Sequence, residues 1–262
     1  MTLTLEGLHN FRDLGGLPLA AGGAVRAGVL YRSDALSALT DAGVTALSAS
    51  PIGVIADFRT PFEQESAPDR LPADRTLDIV ELSVLEGALT GAAGAAAAEG
   101  GPIDTGMASR ILATLPRLGD LYVQMLEHGA ASFAEAARRV AASVDDRPSA
   151  VLVHCTAGKD RTGVAVAVIL DAVGAERDAV IDDYAQSERN LAGPWADRML
   201  AGIEQMGAPL TPEVRELVTG TPPAAMAQAF AWIDERGGSA DYLRSGGLTE
   251  TELDGLRARL AG

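Results

Sequence analysis

The feature that most constrains this chain is the stretch AVLVHCTAGKDRTG, in which an apolar run leads into a short loop containing glycine. The run Ala150–His154 lacks polar alternation, a pattern typical of a strand buried on both faces. The segment RTGVAVAVILDAVGA, which begins at Arg161, has the composition of a buried helix. The single cysteine, Cys155, is therefore predicted to lie where a buried strand ends and a loop to a helix begins.

That loop has the properties of an anion site. Backbone N–H groups at the start of a helix lack partners within the helix, so they can converge on an anion. Gly158 permits a positive φ and a close approach of the backbone to a ligand. Ligands of open α/β sheets bind outside the carboxyl ends of the strands. We therefore expect the loop from Cys155 to Arg161 to bind an anionic group.

The same position suits a reactive thiol. A free thiol has a pKa of about 8.5, and a helix N-terminus with a nearby arginine can lower it to roughly 3.5–7.5. A thiolate at the base of an anion cradle can attack phosphorus and form a phosphocysteine, while Arg161 supplies a planar fork for two phosphate oxygens. The alternative is that Cys155 is only a small core residue, since free cysteines are often buried.

The pattern along the chain predicts an α/β fold. Apolar runs predict strands at Val29–Ser33, Gly53–Arg59, 76–85 and Ala150–His154. Helical spacing recurs at 35–50, 107–127, 132–144, 161–175, 177–189, 195–206, 211–219, 223–236 and 249–260. Strands thus alternate with helices first, and only helices follow. We expect one domain over residues 1–262, with a central sheet and a helical elaboration over about 176–262.

Composition limits partners and location. The net charge of −15 argues against nucleic acid as a partner and is unfavourable for contact with anionic lipid. One cysteine excludes an internal disulfide and argues against a cysteine-based metal cluster. The N-terminus MTLTLEGLHNF has no signal-peptide pattern, and no apolar run is long enough to span a bilayer. These features predict a cytoplasmic protein, or one secreted without a signal peptide, and no stable membrane insertion.

One Ala/Gly-rich segment, at about 86–106, lacks a clear apolar face. It is predicted to be a flexible loop or a poorly fixed helix. A surface insertion and a functional flap explain the segment equally well.

The motif HCTAGKDRTG resembles the signature of the cysteine-dependent protein tyrosine phosphatases: His-Cys, five residues, Arg, then Ser or Thr, then Gly. The loop residues Lys159 and Asp160 narrow the resemblance to a bacterial atypical group with mycobacterial and Listeria members. Five further segments, together spread over most of the chain, are similar to that group. They are NFRDLGG, LYRSDAL, IADFRT, DDYAQSERN and DYLRSGGLTETELDGLRARL.

The resemblance implies a fold and an activity. It implies the cysteine-phosphatase fold, with a mostly parallel sheet flanked by helices and a lid-like helical elaboration. The implied activity is phosphomonoester hydrolysis of the protein-tyrosine-phosphatase type, through a cysteinyl phosphate and without metal or cofactor, and inorganic phosphate is the product. Relatives accept phosphotyrosine, phosphoserine or phosphothreonine, and phosphoinositides. A small phosphorylated metabolite or nucleotide is the alternative substrate.

The resemblance also implies roles for single residues. Cys155 is the nucleophile and Arg161 the phosphate clamp. His154 orders the loop, while Thr162 bonds the thiol or, alternatively, caps the helix. The phosphate cradle consists of the backbone N–H groups of Thr156, Ala157, Gly158, Lys159, Asp160 and Arg161.

A general acid is needed to protonate the leaving oxygen. The chain has no Trp-Pro-Asp tripeptide, and the atypical group places an aspartate inside the loop. Asp160 holds that position, with pairing to Arg161 as its alternative role and Glu86 as a weaker candidate acid. Lys159 is expected at the mouth of the site, where it binds a second phosphate or ring hydroxyls, or else is merely solvated.

Several other charged and apolar residues have two possible roles each. Arg12 and Asp13, like Asp57 and Arg59, are expected to form structural ion pairs rather than to contact substrate. Met199, Ile203 and Met206 belong either to a lid or to the core. Two other functions compete with hydrolysis: a phosphate-binding module without turnover, and a sulfur carrier of the rhodanese type.

Overall fold

The computed structural model describes residues 3–84, 116–205 and 209–262. Its centre is a sheet of five strands, which are β1 (Arg12–Asp13), β2 (Leu30–Ser33), β3 (Ile52–Asp57), β4 (Asp78–Glu81) and β5 (Ala150–His154). Their order in the sheet is β1-β2-β5-β3-β4. Only β1 runs antiparallel to its neighbour, and the other pairs are parallel.

Helices flank this sheet. They are α1 (Asp41–Ser48), α2 (Pro61–Ser66), α3 (Leu118–Ala141), α4 (Arg161–Ala172), α5 (Arg177–Leu191), α6 (Pro194–Gln205), α7 (Pro212–Thr219), α8 (Pro223–Asp234), α9 (Ser239–Ser245) and α10 (Glu250–Ala261). Within the described ranges only helices follow β5, which confirms the predicted α/β class and its helical C-terminal part.

The central strand β5 is buried throughout, as its apolar run predicts. Val151 and Val153 face the larger core, to which α3, α4, α8 and α10 contribute. Ala150 and Leu152 face a smaller core on the other side. Alternate side chains of a strand point to opposite faces, so a strand between two cores must be apolar at every position.

The long helix α3 differs from the sequence prediction, which placed separate helical patterns at 107–127 and 132–144. The structure has one continuous helix over Leu118–Ala141, and residues 107–115 lie outside the described ranges. The pattern weakens at Gly129 because small residues replace large apolar ones there. Gly129 lies against Phe133, where an added Cβ would come 2.8 Å from the ring.

Short elements were missed. The pattern did not predict α2 or α9, and it merged a 3-10 turn at Leu36–Ala38 with α1. Helix α2 buries none of its side chains, so its sequence has no apolar periodicity from which a helix could be predicted. Among the described residues, no helix has the length and apolar character needed to cross a membrane.

Candidate active site

Three parallel strands end together at one edge of the sheet. Ser33 at the end of β2 and Asp57 at the end of β3 both lie in register with His154, the last residue of β5. Cys155 follows directly and is 2% exposed. The loop that begins there leads to α4, whose first residue is Arg161. The predicted strand, loop and helix therefore lie at the carboxyl edge of the sheet.

Gly158 makes the sharp turn in this loop. Its φ is +66°, as expected for a position that needs glycine. A Cβ at Gly158 would lie 2.0 Å from the carbonyl oxygen of Ser33, so the loop could not approach β2 with any side chain there.

Two loop carbonyl groups are held from outside the loop. Asn10 Nδ2 donates to the carbonyl oxygens of Ala157 at 3.1 Å and Gly158 at 3.0 Å. Arg32 Nη2 also donates to the Gly158 carbonyl, at 2.8 Å. In a trans peptide the N–H of the next residue points the opposite way from the carbonyl. The N–H groups of Gly158 and Lys159 thus face away from these donors, and neither donates to an acceptor in the described part of the chain.

A buried ion-pair network supports those donors. Asp183 on α5 accepts from Arg12 Nε at 2.6 Å and from Arg32 Nη1 at 2.7 Å. Burial would raise the pKa of Asp183, but the two guanidinium groups outweigh it and lower that pKa. Arg12 also donates to Asn10 Oδ1, at 2.6 Å. Arg12 thus forms a structural ion pair as expected, but its partner is Asp183 and not Asp13. Asp13 forms no ion pair among the described residues and instead accepts from one backbone N–H just after β1 and one just before β2.

Arg161 is held by a residue that the sequence analysis missed. Its Nη1 lies 2.7 Å from Glu63 Oε2 and its Nη2 lies 2.7 Å from Glu63 Oε1. Thr156 Oγ1 donates to the same carboxylate. Burial alone would raise the pKa of Glu63, but the bonds and charge of Arg161, helped by Thr156 and Thr60, lower it to about 2. Glu63 therefore joins α2 to both ends of the loop.

The sequence around Glu63 contains a motif that marks the start of a helix. Thr60-Pro61-Phe62-Glu63 is a capping box with proline at the first helical position, and the structure shows both of its reciprocal bonds. The motif predicts that α2 starts here. It does not predict the long-range partner Arg161.

Asp160 precedes α4, and its side chain is 17% exposed. Its Oδ1 accepts from Tyr122 Oη at 2.7 Å and from Lys159 Nζ at 2.7 Å. The charge partner seen for Asp160 is thus Lys159, whereas Glu63 pairs with Arg161.

Lys159 lies elsewhere than expected. Its side chain was expected at the mouth of the site or in solvent, yet the residue is only 1% exposed. The ammonium group also donates to the carbonyl oxygens of Leu217 at 3.0 Å and Gly220 at 3.1 Å, at the end of α7. Carbonyl groups at a helix end lack partners within the helix and attract a cation. The expectation of an exposed Lys159 side chain was therefore wrong.

His154 is fully buried beside two carboxylates. Its Nδ1 lies 3.3 Å from the Cys155 carbonyl oxygen, which can only accept, and its Nε2 lies 3.4 Å from Asp69 and 3.7 Å from Asp57. These three side chains are close enough to share a metal ion. However, Arg59 Nη2 lies 2.8 Å from Asp57 and 2.9 Å from Asp69, so a guanidinium already supplies the positive charge. The expected Asp57–Arg59 structural pair is confirmed.

Thr162 does not cap α4. The cap position is Asp160, and Thr162 lies within the first turn, so the capping alternative was wrong. Its hydroxyl is buried and has no hydrogen-bond partner among the described residues.

The remaining predicted residues lie outside this cluster or outside the described ranges. Glu86, Met206 and the segment 86–106 are among the residues that the structure does not describe. Met199 is 38% exposed and Ile203 is half-buried, so the core explanation for that stripe was wrong for Met199.

Comparison with known proteins agrees with the signature. A family model described as "Tyrosine phosphatase family" matches residues 3–262. The triple specificity protein phosphatase PtpB of Mycobacterium tuberculosis is 33% identical, covering 98% of this chain and 98% of the relative. A tyrosine-protein phosphatase of Nostoc commune is 30% identical, covering 93% of this chain and 78% of the relative. The chain belongs to the tyrosine phosphatase family.

Proposed function

We propose that this protein is a phosphomonoester hydrolase of the protein-tyrosine-phosphatase type that works through a cysteinyl phosphate. The observation that carries the proposal is the loop itself. In the loop from Cys155 to Arg161, side chains outside the loop bond two carbonyl groups. The N–H groups of Gly158 and Lys159 therefore point away from those side chains. Backbone N–H groups that face one side of such a loop suit a phosphate dianion.

The reaction has two steps. The Cys155 thiolate attacks phosphorus, an Sγ–P bond forms and the bond from phosphorus to the leaving oxygen breaks. Water then attacks the phosphocysteine and releases inorganic phosphate and the thiolate. Arg161 stabilises the charge on the transferred phosphoryl group in both steps, and Glu63 holds its guanidinium in place. No step needs a metal ion or an organic cofactor.

Asp160 is proposed as the general acid of the first step. Its position between the loop and α4 supports this role, and so does its side chain, which is partly exposed. The proton passes from the Asp160 carboxyl group to the leaving oxygen as the P–O bond breaks. Thr162, whose hydroxyl is buried near the start of α4, is proposed to bond the thiolate as it leaves phosphorus.

The proposed substrates are phosphorylated proteins. This follows the relatives, whose names describe a tyrosine-protein phosphatase and a triple specificity protein phosphatase. Broad specificity would extend the range to phosphoserine, phosphothreonine and phosphoinositides. The net charge of −15 disfavours an anionic membrane surface, so a small phosphorylated metabolite is the second candidate class.

The test is phosphate release by the wild type and by Cys155→Ser. The panel contains a phosphotyrosine peptide, a phosphoserine peptide, a short-chain phosphoinositide and a nucleoside monophosphate. We expect release that depends on Cys155, fastest from the phosphotyrosine peptide. Residual activity of Cys155→Ser above about a tenth of wild type would contradict the covalent mechanism. If the wild type binds phosphate but releases none from the panel, a binding module explains the site better, and thiosulfate:cyanide transfer would then test for a sulfur carrier.

Asp160→Asn tests the acid. This variant should slow an alkyl phosphate far more than p-nitrophenyl phosphate, because a good leaving group needs no proton. Asp182→Asn, on the exposed side of α5, is the matched control. Equal slowing of both substrates would remove Asp160 from the acid role.

A further inference from the structure

A chain of buried hydroxyl groups lies behind Asp160. Tyr122 Oη donates to Asp160 Oδ1 at 2.7 Å, and Tyr184 Oη lies 2.7 Å from Tyr122 Oη. A phenol has one proton, and Tyr122 gives its proton to Asp160, so Tyr184 must be the donor to Tyr122. Tyr122 is fully buried and Tyr184 is 1% exposed.

Three helices fix these hydroxyl groups. Tyr122 lies on α3 and Tyr184 on α5, and their rings meet edge to face with centroids 5.9 Å apart. Gly163 on α4 lets the Tyr184 ring approach, since an added Cβ would lie 3.0 Å from its Cδ2. Neither hydroxyl oxygen can shift without moving a packed aromatic ring.

Both tyrosines keep their protons. Burial raises the pKa of Tyr122 well above its ordinary value, and the nearby Asp160 carboxylate raises it further. Burial, followed by the charge of Asp160, also raises the pKa of Tyr184, against smaller opposing effects of the hydrogen bond with Tyr122 and the charge of Arg32. Tyr122 therefore keeps its proton near neutral pH and can donate it to Asp160 in a hydrogen bond.

The two carboxyl oxygens of Asp160 are consequently not equivalent. Oδ1 accepts from both Tyr122 and Lys159, and Lys159 has its remaining donors on the carbonyl groups of Leu217 and Gly220. A proton on Oδ1 would face two donors, so a proton on the neutral carboxyl group belongs on Oδ2.

We propose that Tyr122, held in turn by Tyr184, is a positioning residue that fixes the Asp160 carboxyl group so that Oδ2 delivers the proton to the leaving oxygen. The inference rests on the proposed function. In the first step the proton leaves Oδ2 as the Sγ–P bond forms and the P–O bond breaks. In the second step Oδ2 takes a proton from the attacking water. Tyr122 touches neither substrate nor the reacting atoms, and acts only through Asp160.

The dependence of the rate on the leaving group distinguishes a positioning role of Tyr122 from a role in packing alone. Rates of wild type and Tyr122→Phe are compared on p-nitrophenyl phosphate and on an alkyl phosphate. We expect Tyr122→Phe to lower kcat about tenfold or more on the alkyl phosphate, with KM little changed, and less than about twofold on p-nitrophenyl phosphate. Tyr184→Phe should change kcat in the same direction by less, because the bond from Tyr122 to Asp160 survives.

Tyr242→Phe is the matched control. Tyr242 is also buried, and its hydroxyl donates to the Leu126 carbonyl of α3 at 2.7 Å, away from Asp160. Tyr242→Phe also removes a buried hydrogen bond to α3, but it should leave the ratio of the rates on the alkyl phosphate and p-nitrophenyl phosphate unchanged. If Tyr122→Phe fails to fold, the ratio of the two rates is measured with Tyr184→Phe instead, where a smaller change in the same direction is expected.

A double variant tests whether Tyr122 acts through Asp160. Tyr122→Phe combined with Asp160→Asn should be no slower on the alkyl phosphate than Asp160→Asn alone. Additive losses, or equal slowing of both substrates by Tyr122→Phe, would overturn the inference while leaving the proposed function in place. The proposed function itself fails only in the separate case in which the wild type shows no Cys155-dependent phosphate release.

Discussion

Glu63 and Arg161 form a two-pronged ion pair in which each carboxylate oxygen lies 2.7 Å from a different guanidinium nitrogen. The pair crosses from α2 to the first residue of α4, and only a quarter of the Glu63 side chain and 11% of the Arg161 side chain are exposed. Thr60 fixes Glu63 through the capping box. The direction of the Arg161 guanidinium therefore depends on where a short surface helix begins.

Replacing Glu63 by glutamine should impair phosphate handling. An amide offers one acceptor and turns its NH₂ group toward the guanidinium, so Arg161 loses its fixed orientation. We expect kcat/KM on p-nitrophenyl phosphate to fall about 10- to 100-fold and inorganic phosphate to inhibit more weakly. Steady-state kinetics would check this, with Glu65→Gln on the exposed side of α2 as the control. Tighter phosphate inhibition in Glu63→Gln would mean that Glu63 competes with phosphate for Arg161.

Glu63 should also contribute to the pH dependence of stability. Its pKa falls from 4.5 to about 2 on folding, so the unfolded chain binds this proton first as the pH drops. The stabilisation is fully present above pH 4.5 and is lost as the pH falls toward 2. Wild type should therefore lose more free energy of unfolding than Glu63→Gln between about pH 6 and pH 3. Urea titrations at both pH values test this, and parallel losses would contradict it.

The turn at Gly158 should tolerate no side chain. Gly158→Ala combines a positive φ with a Cβ placed 2.0 Å from the Ser33 carbonyl oxygen. Gly174→Ala is the control, because Gly174 has φ +86° and nothing within 4 Å of an added Cβ. The control should lose about 1–2 kcal/mol of unfolding free energy from backbone strain alone. Gly158→Ala should lose about 1–3 kcal/mol more and most of its phosphatase activity. Equal losses in the two variants would show that the loop shifts without cost.

Local signals explain which parts of the site could be predicted. The bounds of β5 and the start of α4 match the prediction, because an apolar run and a buried helix leave patterns within the segment itself. The positive φ of Gly158 follows from the turn between them. Sequence spacing was therefore sufficient for the strand, the loop and the helix that hold Cys155.

Long-range partners could not be predicted in this way. Glu63 meets Arg161, and Lys159 meets Leu217 and Gly220, across long stretches of chain that no periodicity links. The direction of Lys159 depends on carbonyl groups at the end of a helix, and those become acceptors only once that helix has docked. A resemblance between loop motifs identifies the residue type at a position but does not determine which way its side chain turns.

The burial of Lys159 can be tested directly, since it is the only lysine in the chain. With 1% exposure and an ammonium group donating to Asp160 and two carbonyl groups, it should resist an amine-acetylating reagent in the native protein. Lys159 should react in urea, where the chain is unfolded, and this reaction is the control for the reagent. Mass spectrometry of peptides after timed labelling would measure the two rates. Rapid native labelling of Lys159 that phosphate blocks would instead place its ammonium group at the mouth of the site, in contact with substrate.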